Sequence, residues 1–354
     1  MFGVIALGVA IWALATVLRV PLRIRLALVG VLWAVVVLIN LTLPAGSPLR
    51  TATGNDARPW LVLAGAAALV LAYRAGLGAL RRRVRPQAPA ADAPDSGGAP
   101  FSEVELNRYA RHIILREVGG PGQRKLKDAR VLVIGAGGLG APVLLYLAGA
   151  GVGTIGVIDD DTVEGSNLQR QIIHTDARIG LPKVFSAQEQ MLALNPFVTV
   201  RPYHRRLTES DAEALFSEYD LILDGTDNMD TRYLVNRVAV RLQKPLVSAA
   251  ITQWEGQIGL YDPARGGACY ECVFPHPPAP GLVPSCAEAG VIGPLPGVLG
   301  SMMAVEAIKA ITGAGEGLRG RLLIYDALFA ETRTIATRPR PDCAACHGGA
   351  AASA

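Results

Sequence analysis

The chain has 354 residues, enough for about two domains. With 51% hydrophobic residues and a positive mean hydropathy, it is unlike a protein that is soluble over its whole length, and we expect part of it in a membrane. The net charge of +4 is uneven, because residues 1–100 hold ten arginines against three acids, so the positive charge does not indicate DNA binding.

Three apolar stretches open the sequence: Phe2–Leu18, Leu26–Leu43 and Trp60–Tyr73, the last of which can continue to Leu80. A helix needs about 20 apolar residues to cross a bilayer, and the first two stretches come close to that length. A signal peptide carries positive charge before its apolar core, whereas here only the N-terminal amine precedes it. A buried core helix is the other alternative. We predict that residues 1–85 form an all-helical membrane anchor of about three transmembrane helices.

The positive charges around these stretches predict their orientation, because loops rich in Lys and Arg stay on the cytoplasmic side. Basic residues follow the first and the third stretch: Arg19, Arg23, Arg25, Arg74, Arg81, Arg82, Arg83 and Arg85. The loop after the second stretch has two arginines and an aspartate. We therefore predict a multi-pass protein of the cell membrane, with the N-terminus outside and everything beyond Arg85 in the cytosol.

The sequence beyond the apolar stretches divides into three parts. Residues 86–101 are rich in Pro, Ala and Gly without apolar periodicity, which predicts a disordered linker. Ser102 and Glu105 have the spacing of a capping box, which predicts that a helix begins there. We expect one folded domain over residues 102–347 and a flexible tail over residues 348–354.

Strand and helix patterns alternate from Arg130 onward, which predicts an α/β fold with a mostly parallel sheet covered by helices. The expected strands are Val131–Gly135, Thr154–Asp159, Asp220–Asp224 and Pro245–Ile251, and Val198–Pro202 is expected to be extended. We expect Gln257–Tyr261 and Ala268–Cys272 to form a later antiparallel addition. The predicted fold class is thus a Rossmann-like α/β sheet with an antiparallel extension.

A glycine-rich turn follows the first strand and precedes a helix: Gly135, Gly137, Gly138 and Gly140. Such glycines permit a tight turn and a close approach of the backbone to phosphates at the helix N-terminus. Asp159 ends the next strand, where a carboxylate accepts hydrogen bonds from ribose hydroxyls. This pattern indicates a nucleotide-binding fold, and it fits an NAD-dependent oxidoreductase as well as an ATP-dependent enzyme.

Charged and amide residues beyond this aspartate favour a nucleoside triphosphate. Asp161, Ser166, Asn167 and Arg170 follow closely, and Lys183 begins the next helix. The planar guanidinium of an arginine bonds phosphate oxygens in pairs, so Arg170 suits a triphosphate. Hydride transfer needs no such set of cations, whereas nucleotidyl transfer does, and ATP is therefore favoured over NAD.

A later strand ends in two further carboxylates. Asp224, Asp227 and Asn228 lie at the carboxyl ends of the strands, where ligands bind in open α/β sheets. A carboxylate at this place can hold Mg²⁺ on the phosphates. Asp224 can also pair with a neighbouring side chain rather than with a metal ion.

Four of the five cysteines form two C-x-x-C pairs, Cys269 with Cys272 and Cys343 with Cys346. Four thiolates suit a tetrahedral structural Zn²⁺, which would tie the C-terminal segment to the sheet domain. The second pair, followed by His347, also matches a site of c-type haem attachment. Haem would be attached outside the cytosol, against the predicted orientation, and would leave the first pair without a role.

These motifs resemble the ThiF/MoeB family of ubiquitin-activating-enzyme-like adenylyltransferases over residues 102–347. The matching stretches occur in this order: RYARHIIL (Arg108–Leu115), GAGGLG, DDDTVEGSNLQRQ, GLPKV (Gly180–Val184), DGTDN, WEGQI (Trp254–Ile258), the first C-x-x-C pair, CAEAGV (Cys286–Val291) and the second pair. The resemblance implies an enzyme that activates a carboxylate with ATP, with Mg²⁺ on the phosphates and a structural Zn²⁺.

The resemblance also implies a role for each matching residue of the nucleotide site. The glycines approach the phosphates, Asp159 holds the ribose, and Ser166 and Asn167 contact the nucleotide. Arg170 stabilises the charge that develops at the α-phosphate, and Lys183 supports the phosphates.

Three further implied roles concern the metal ion, the partner subunit and the carrier. Asp227 binds Mg²⁺, with Asn228 beside it. Arg111 reaches the triphosphate of the other subunit, which makes the active unit a homodimer, and the family usually has Gln where His112 stands. Cys286 matches a cysteine that in some members bonds covalently with the activated carrier or with sulfur, and an inert loop thiol is the alternative.

The implied function is ATP-dependent adenylation of the C-terminal Gly-Gly carboxylate of a small ubiquitin-like sulfur-carrier protein, in a molybdopterin, thiamine or related sulfur pathway. Two alternatives stay open: a relative that modifies tRNA, and a nucleotide-binding membrane scaffold without turnover. The presence of Arg111, Arg170, Lys183 and Asp227 favours the enzyme.

Overall fold

The computed structural model describes residues 2–18, 20–44, 46–84, 100–278 and 289–347. The chain divides into two compact units, Met1–Ala90 and Ala91–Ala354. Most of the predicted linker, the predicted tail and the predicted reactive cysteine, Cys286, lie outside the described residues.

The first unit is helical over its described residues. Its helices are α1 (Phe2–Val17), α2 (Leu22–Thr42), α3 (Pro48–Ala52) and α4 (Arg58–Val84). Large apolar side chains on these helices are exposed, among them Val9, Leu14, Leu38, Val62 and Leu69. An apolar surface of this extent is unfavourable in water, so we expect either a membrane or another protein surface to cover it.

Side-chain hydrogen bonds connect the end of α2 with the start of α4. The amide of the buried Asn40 donates to the hydroxyl of Thr53 at 2.9 Å. The indole of Trp60 donates to the carbonyl oxygen of Thr53 at 3.0 Å, and the indole of Trp33 donates to the carbonyl oxygen of Trp60 at 3.0 Å. These bonds keep polar groups paired at one end of an otherwise apolar helix pair.

Two described helices are long and apolar enough to cross a membrane, Ile24–Thr42 and Pro294–Thr312. The second of them is half buried within the other unit and packs there as a core helix. Helix α1 is apolar but shorter. The membrane location and the number of spans therefore stay predictions.

The second unit contains an eight-stranded sheet in the order β3-β2-β1-β4-β5-β6-β7-β8. The strands are β1 (Arg130–Ile134), β2 (Thr154–Ile158), β3 (Thr199–Tyr203), β4 (Leu221–Asp224), β5 (Leu246–Thr252), β6 (Glu255–Tyr261), β7 (Arg321–Asp326) and β8 (Glu331–Ala336). The first five are parallel, and β6, β7 and β8 add to them in antiparallel pairs. The predicted α/β class, a mostly parallel sheet with an antiparallel extension, is confirmed.

Helices cover both faces of this sheet. They are α5 (Glu103–Ile113), α6 (Gly119–Asp128), α7 (Gly140–Ala150), α8 (Lys183–Leu194), α9 (Glu209–Ser217), α10 (Met229–Arg241), α11 (Tyr270–Val273) and α12 (Pro294–Thr312). In β1, Val131 and Val133 pack into the core beneath α7, α8 and α12, whereas Leu132 and Ile134 pack into the core beneath α9 and α10. Alternating residues of a strand face opposite sides of the sheet, so a strand between two helical layers is apolar throughout.

The predicted capping box is present at the start of α5, where Ser102 and Glu105 bond each other's backbone N–H groups. The strand expected over Ala268–Cys272 is wrong, because this segment forms the short helix α11. In a strand, residues three apart face opposite sides. The turn of α11 instead brings the sulfurs of Cys269 and Cys272 to 3.7 Å from each other.

The strand order reverses between β1 and β4, with β2 on the far side of β1. At such a switch point the connections leave the sheet in opposite directions and open a crevice at the carboxyl ends of the strands. Gly135, Asp159 and Asp224 stand at these ends, so the fold places the predicted nucleotide residues along one edge.

Candidate active site

The glycine turn between β1 and α7 is tight and requires glycine. Gly135 has a φ of +91°, in the left-handed region, and a Cβ at Gly140 would lie 1.9 Å from the carbonyl oxygen of Gly135. A Cβ at Gly138 would lie 3.0 Å from Pro296. A Cβ at Gly137 would meet only the amide of Gln171, at 3.6 Å. The turn leads into the N-terminus of α7, where backbone N–H groups can bind a phosphate.

Asp159 joins the end of β2 to the glycine turn. One carboxylate oxygen accepts the backbone N–H of Ala136 at 2.7 Å, and the other accepts that of Asp161 at 2.8 Å. Burial raises the pKa of Asp159 above its usual value, although the nearby Lys183 and the two N–H groups oppose this. The carboxylate therefore stands beside the turn with its orientation fixed by backbone donors.

Lys183 is buried at the start of α8, with 4% of its surface exposed. Its ammonium forms an ion pair with Asp161 at 2.6 Å. A lysine is rarely buried this far without a partner, because removing the ammonium from water is unfavourable. The structure thus brings together two predicted cofactor-binding residues, and it holds the cation near Asp159.

Arg170 lies next to Gly138 of the glycine turn. Its Cγ would be 3.7 Å from a Cβ placed at Gly138, so its stem runs along the turn. The guanidinium donates to the side-chain oxygen of Asn167 at 2.8 Å and to the carbonyl oxygen of Ser166 at 3.4 Å. These local bonds hold Arg170, Asn167 and Ser166 as one group next to the turn.

Two residues behind the turn complete its support. His174 is buried, and its ring nitrogens lie 2.9 Å from the carbonyl oxygen of Ala136 and 2.9 Å from the hydroxyl of Ser186. Burial lowers the pKa of His174, so the neutral imidazole is favoured there. Gln171 is also buried, and its side-chain oxygen has no hydrogen-bond partner among the described residues. Sequence reasoning assigned no role to Gln171, and the only signal was its place at the end of the DDDTVEGSNLQRQ stretch.

The aspartate that ends β4 and the one that follows it have different surroundings. Asp224 is fully buried and pairs with Arg232 at 3.5 Å, so of the two alternatives for Asp224 the structure supports the pairing with a neighbour. Asp227 is exposed at the same edge of the sheet. Asn228 caps α10, because its side-chain oxygen accepts the N–H of Thr231 at 2.9 Å. Asp227 is thus the carboxylate of this segment that is accessible to a metal ion.

Two of the predicted catalytic residues are not part of this group. Arg111 is exposed near the end of α5, and its side chain makes no hydrogen bond or ion pair with the described residues. Cys286 lies outside the described residues.

The four cysteines of the C-x-x-C pairs converge in one cluster. The sulfurs lie 3.7 Å apart in Cys269 and Cys272, 3.6 Å in Cys269 and Cys343, and 3.4 Å in Cys272 and Cys346. Zinc–sulfur bonds of about 2.3 Å place the sulfurs of a tetrahedral site about 3.8 Å apart, so the spacing fits such a site. Burial raises the pKa of the Cys269 thiol to about 12.

Known proteins are similar to this chain in sequence and in fold. The profile of the ThiF family matches residues 109–345. The chain is 51% identical over 250 residues to a sulfur carrier protein adenylyltransferase of Thermus thermophilus, covering 70% of this chain and 92% of that protein. It is 48% identical over 246 residues to the SAMP-activating enzyme E1 of Haloferax volcanii, covering 70% of this chain and 90% of that protein.

A longer relative and a solved structure add to this. The chain is 55% identical over 244 residues to the probable adenylyltransferase/sulfurtransferase MoeZ of Mycobacterium tuberculosis, which is 68% of this chain but only 62% of MoeZ. The crystal structure of E. coli MccB with MccA-N7isoASN superposes with a TM-score of 0.60 at 25% identity, covering 68% of this chain and 74% of that chain. The family profile spans most of the α/β unit, and the chain belongs to the ThiF family.

Proposed function

We propose that this chain uses ATP and Mg²⁺ to adenylate the C-terminal carboxylate of a small ubiquitin-like sulfur-carrier protein. The observation that carries the proposal is the pair of cations at the glycine turn and the adjoining Asp159: Arg170 lies next to Gly138, and Lys183 pairs with Asp161 near Asp159. The names of the Thermus and Haloferax relatives support a sulfur carrier or a ubiquitin-like modifier as the substrate.

The chemistry follows from the weak reactivity of a carboxylate. A carboxylate oxygen attacks the α-phosphorus of ATP, the bond from phosphorus to the bridging oxygen breaks, and pyrophosphate leaves with that electron pair. The product is an acyl-adenylate, whose AMP is a good leaving group. The protein's main tasks are to position the two reactants and to stabilise the charge that develops on the phosphates.

The residues around the turn fit these tasks. Arg170 would stabilise the charge at the α-phosphate, and Lys183 would exchange its bond with Asp161 for a phosphate oxygen. Asp159, fixed by two backbone donors, would accept the ribose hydroxyls, and Asp227 would hold Mg²⁺. The unpaired side-chain oxygen of Gln171 is a free acceptor beside the turn, which supports a ligand there. When bound, Mg²⁺ would neutralise part of the phosphate charge.

The cysteine cluster would hold one structural Zn²⁺. The three short sulfur–sulfur distances and the burial of Cys269 support this proposal. Because Cys343 and Cys346 follow β8 and Cys269 and Cys272 follow β6, the metal would tie the end of the chain to the sheet. Both C-x-x-C pairs belong to the cluster, which favours zinc over the haem alternative.

The active unit would be a homodimer. A groove of about 830 Å³ lies between α7 and α12, and Arg170 is part of its wall. Large apolar side chains at this groove are exposed, namely Tyr146, Ile172 and Val305. Arg111 is followed by the exposed Ile114 and Leu115. A second copy that buries these apolar residues would bring its own arginine towards the phosphates.

The first unit would be a membrane anchor with the α/β unit in the cytosol. The exposed apolar side chains of α1, α2 and α4 support this proposal, because a bilayer would cover them. The arginines that follow the first and third apolar stretches support the cytosolic location of the α/β unit.

The proposal is tested by ATP–pyrophosphate exchange with the purified chain and candidate carriers that end in Gly-Gly. We expect exchange that requires both Mg²⁺ and a carrier, and a loss of about 10²–10³-fold for Arg170→Ala, which removes one electrostatic stabiliser. Arg124→Ala is the matched control, because Arg124 is exposed and its one ion pair among the described residues is with Asp128 on its own helix. Carrier-dependent NAD reduction without exchange would contradict the proposal, and so would equal losses in the two variants.

A further inference from the structure

A buried ion pair lies directly behind the segment that carries Asp227. The side chain of Asp224, at the end of β4, is 0% exposed, and that of Arg232, in the first turns of α10, is 3% exposed. Their closest nitrogen and oxygen atoms are 3.5 Å apart. Because neither side chain reaches the surface, neither is placed to contact a nucleotide in the crevice.

Both members of the pair bind Thr226, the residue that precedes Asp227. One oxygen of Asp224 accepts the N–H of Thr226 at 3.0 Å and its hydroxyl at 2.7 Å. The guanidinium of Arg232 donates to the carbonyl oxygen of Thr226. All three polar groups of Thr226 are therefore held by the buried pair, whereas Asp227 itself projects to the surface.

The guanidinium of Arg232 is itself fixed from several sides. It donates to the hydroxyl of Ser248 at 2.8 Å and to the carbonyl oxygen of Ala249 at 2.9 Å, and both residues belong to β5. The hydroxyl of Ser248 donates to the second oxygen of Asp224 at 3.0 Å, which closes the network. The ring of Tyr270 lies 5.9 Å from the guanidinium carbon.

Stability alone gives little reason for this arrangement. A buried ion pair contributes no more to folding than well-packed apolar side chains of similar size, because both charges must leave water. The pair instead fixes geometry, because each hydrogen bond to Thr226 holds the backbone that leads to Asp227 in one conformation. Partners of this kind orient the groups that bind a metal ion.

We propose that Arg232, with Asp224, is a positioning residue that fixes Asp227 for Mg²⁺ on the bound nucleotide. This inference rests on the proposed function, because it takes Asp227 as the metal-binding carboxylate. Arg232→Lys keeps a positive charge next to Asp224, but its single nitrogen cannot take the places of both Nη1, which donates to Ser248 and Ala249, and Nη2, which donates to Thr226. It should therefore loosen the segment before Asp227 without leaving a buried charge unpaired.

The test measures the Mg²⁺ concentration for half-maximal ATP binding, by calorimetry on the full chain in detergent. We expect it to rise about tenfold or more in Arg232→Lys, the scale on which partners of metal-binding groups act. Thr226→Val, which removes the hydroxyl bound by Asp224, should raise it as well, and Thr226→Ser should restore the wild-type value. Thr226→Val also serves as the second variant if Arg232→Lys does not fold.

The matched control is Arg319→Lys. Arg319 pairs at 2.9 Å with the buried Asp262, which follows β6 at the opposite edge of the sheet from Asp227. This variant should lower thermal stability but leave the Mg²⁺ dependence unchanged. The inference is overturned if Arg232→Lys and Thr226→Val keep the wild-type Mg²⁺ dependence, or if Arg319→Lys shifts it equally. Wild-type protein that binds ATP with Mg²⁺ but shows no carrier-dependent exchange would instead contradict the proposed function.

Discussion

His174 shows how a single buried side chain supports the glycine turn. It has the main-chain carbonyl of Ala136 on one ring nitrogen and the hydroxyl of Ser186 on the other. Both partners are neutral, so nothing in direct contact compensates a positive imidazole. Protonation of the His174 ring should therefore lower the free energy of unfolding of the α/β unit.

We predict that stability falls as the pH drops below about 6.5, the ordinary pKa of a histidine. Burial lowers the pKa of His174 in the folded chain, so below that pH the unfolded chain binds more protons, and unfolding is favoured. Urea unfolding of the full chain in detergent at pH 8, 6.5 and 5.5 measures this. In His174→Gln the loss of stability between pH 8 and pH 5.5 should be smaller. If the loss is the same as in the wild type, other groups cause it and the prediction for His174 is wrong.

At the scale of the element, the cysteine cluster joins two segments of the chain. Cys269 and Cys343 are 74 residues apart in sequence, and their sulfurs lie 3.6 Å from each other. We predict one zinc per chain, and we expect Cys343→Ser to lower both zinc content and melting temperature, because metal binding is coupled to folding. Cys286→Ser, which lies outside the two pairs, should keep its zinc. Metal analysis with less than half an equivalent in the wild type, or a haem absorbance band, would contradict the prediction.

Among the parallel strands, β1, β2 and β4 could be predicted from the sequence, because a strand covered by helices on both faces is a continuous apolar run. Ala268–Cys272 was predicted wrongly for a related reason. Its short sequence pattern does not show that the thiols of Cys269 and Cys272 lie on the same side of the segment. The helix α11 satisfies that requirement, whereas a strand does not. A constraint set by distant residues is not visible in a local pattern.

The candidate site divides in the same way. The glycine turn and Lys183 could be predicted, because they stand at the start or end of elements whose patterns are local. Arg170 lies outside the helices and strands and was predicted from its place in the DDDTVEGSNLQRQ stretch. That Asp224 pairs with a neighbouring side chain was only one of two alternatives, and neither Arg232 as its partner nor the contacts of Arg232 to Ser248 and Ala249 could be predicted. Those contacts depend on how β4, α10 and β5 pack, which is set by the whole sheet.

At the scale of the whole molecule, assembly should complete the site. We predict that Arg111→Ala and Asp227→Ala are each inactive alone but regain part of the activity when mixed. In a mixed dimer one site would have both the wild-type Asp227 and the wild-type arginine of the other chain. The measurement is ATP–pyrophosphate exchange after the two chains have been allowed to exchange partners. If labelled chains do exchange and the mixture stays inactive, completion of the site by the partner is wrong.

The last prediction concerns the side of the membrane on which the α/β unit lies. The arginines after the third apolar stretch face cytosolic anionic lipids only if that unit is cytosolic, and the proposed reaction needs ATP, which the cytosol supplies. We therefore expect protease added to intact cells to leave the α/β unit uncut, and to digest it once the cells are opened. The protein should stay with the membrane fraction in high salt and leave it only with detergent, since apolar helices rather than charges hold it there. Release by salt would contradict the anchor. Digestion in intact cells would contradict the orientation, and with it one of the two arguments against haem at Cys343 and Cys346.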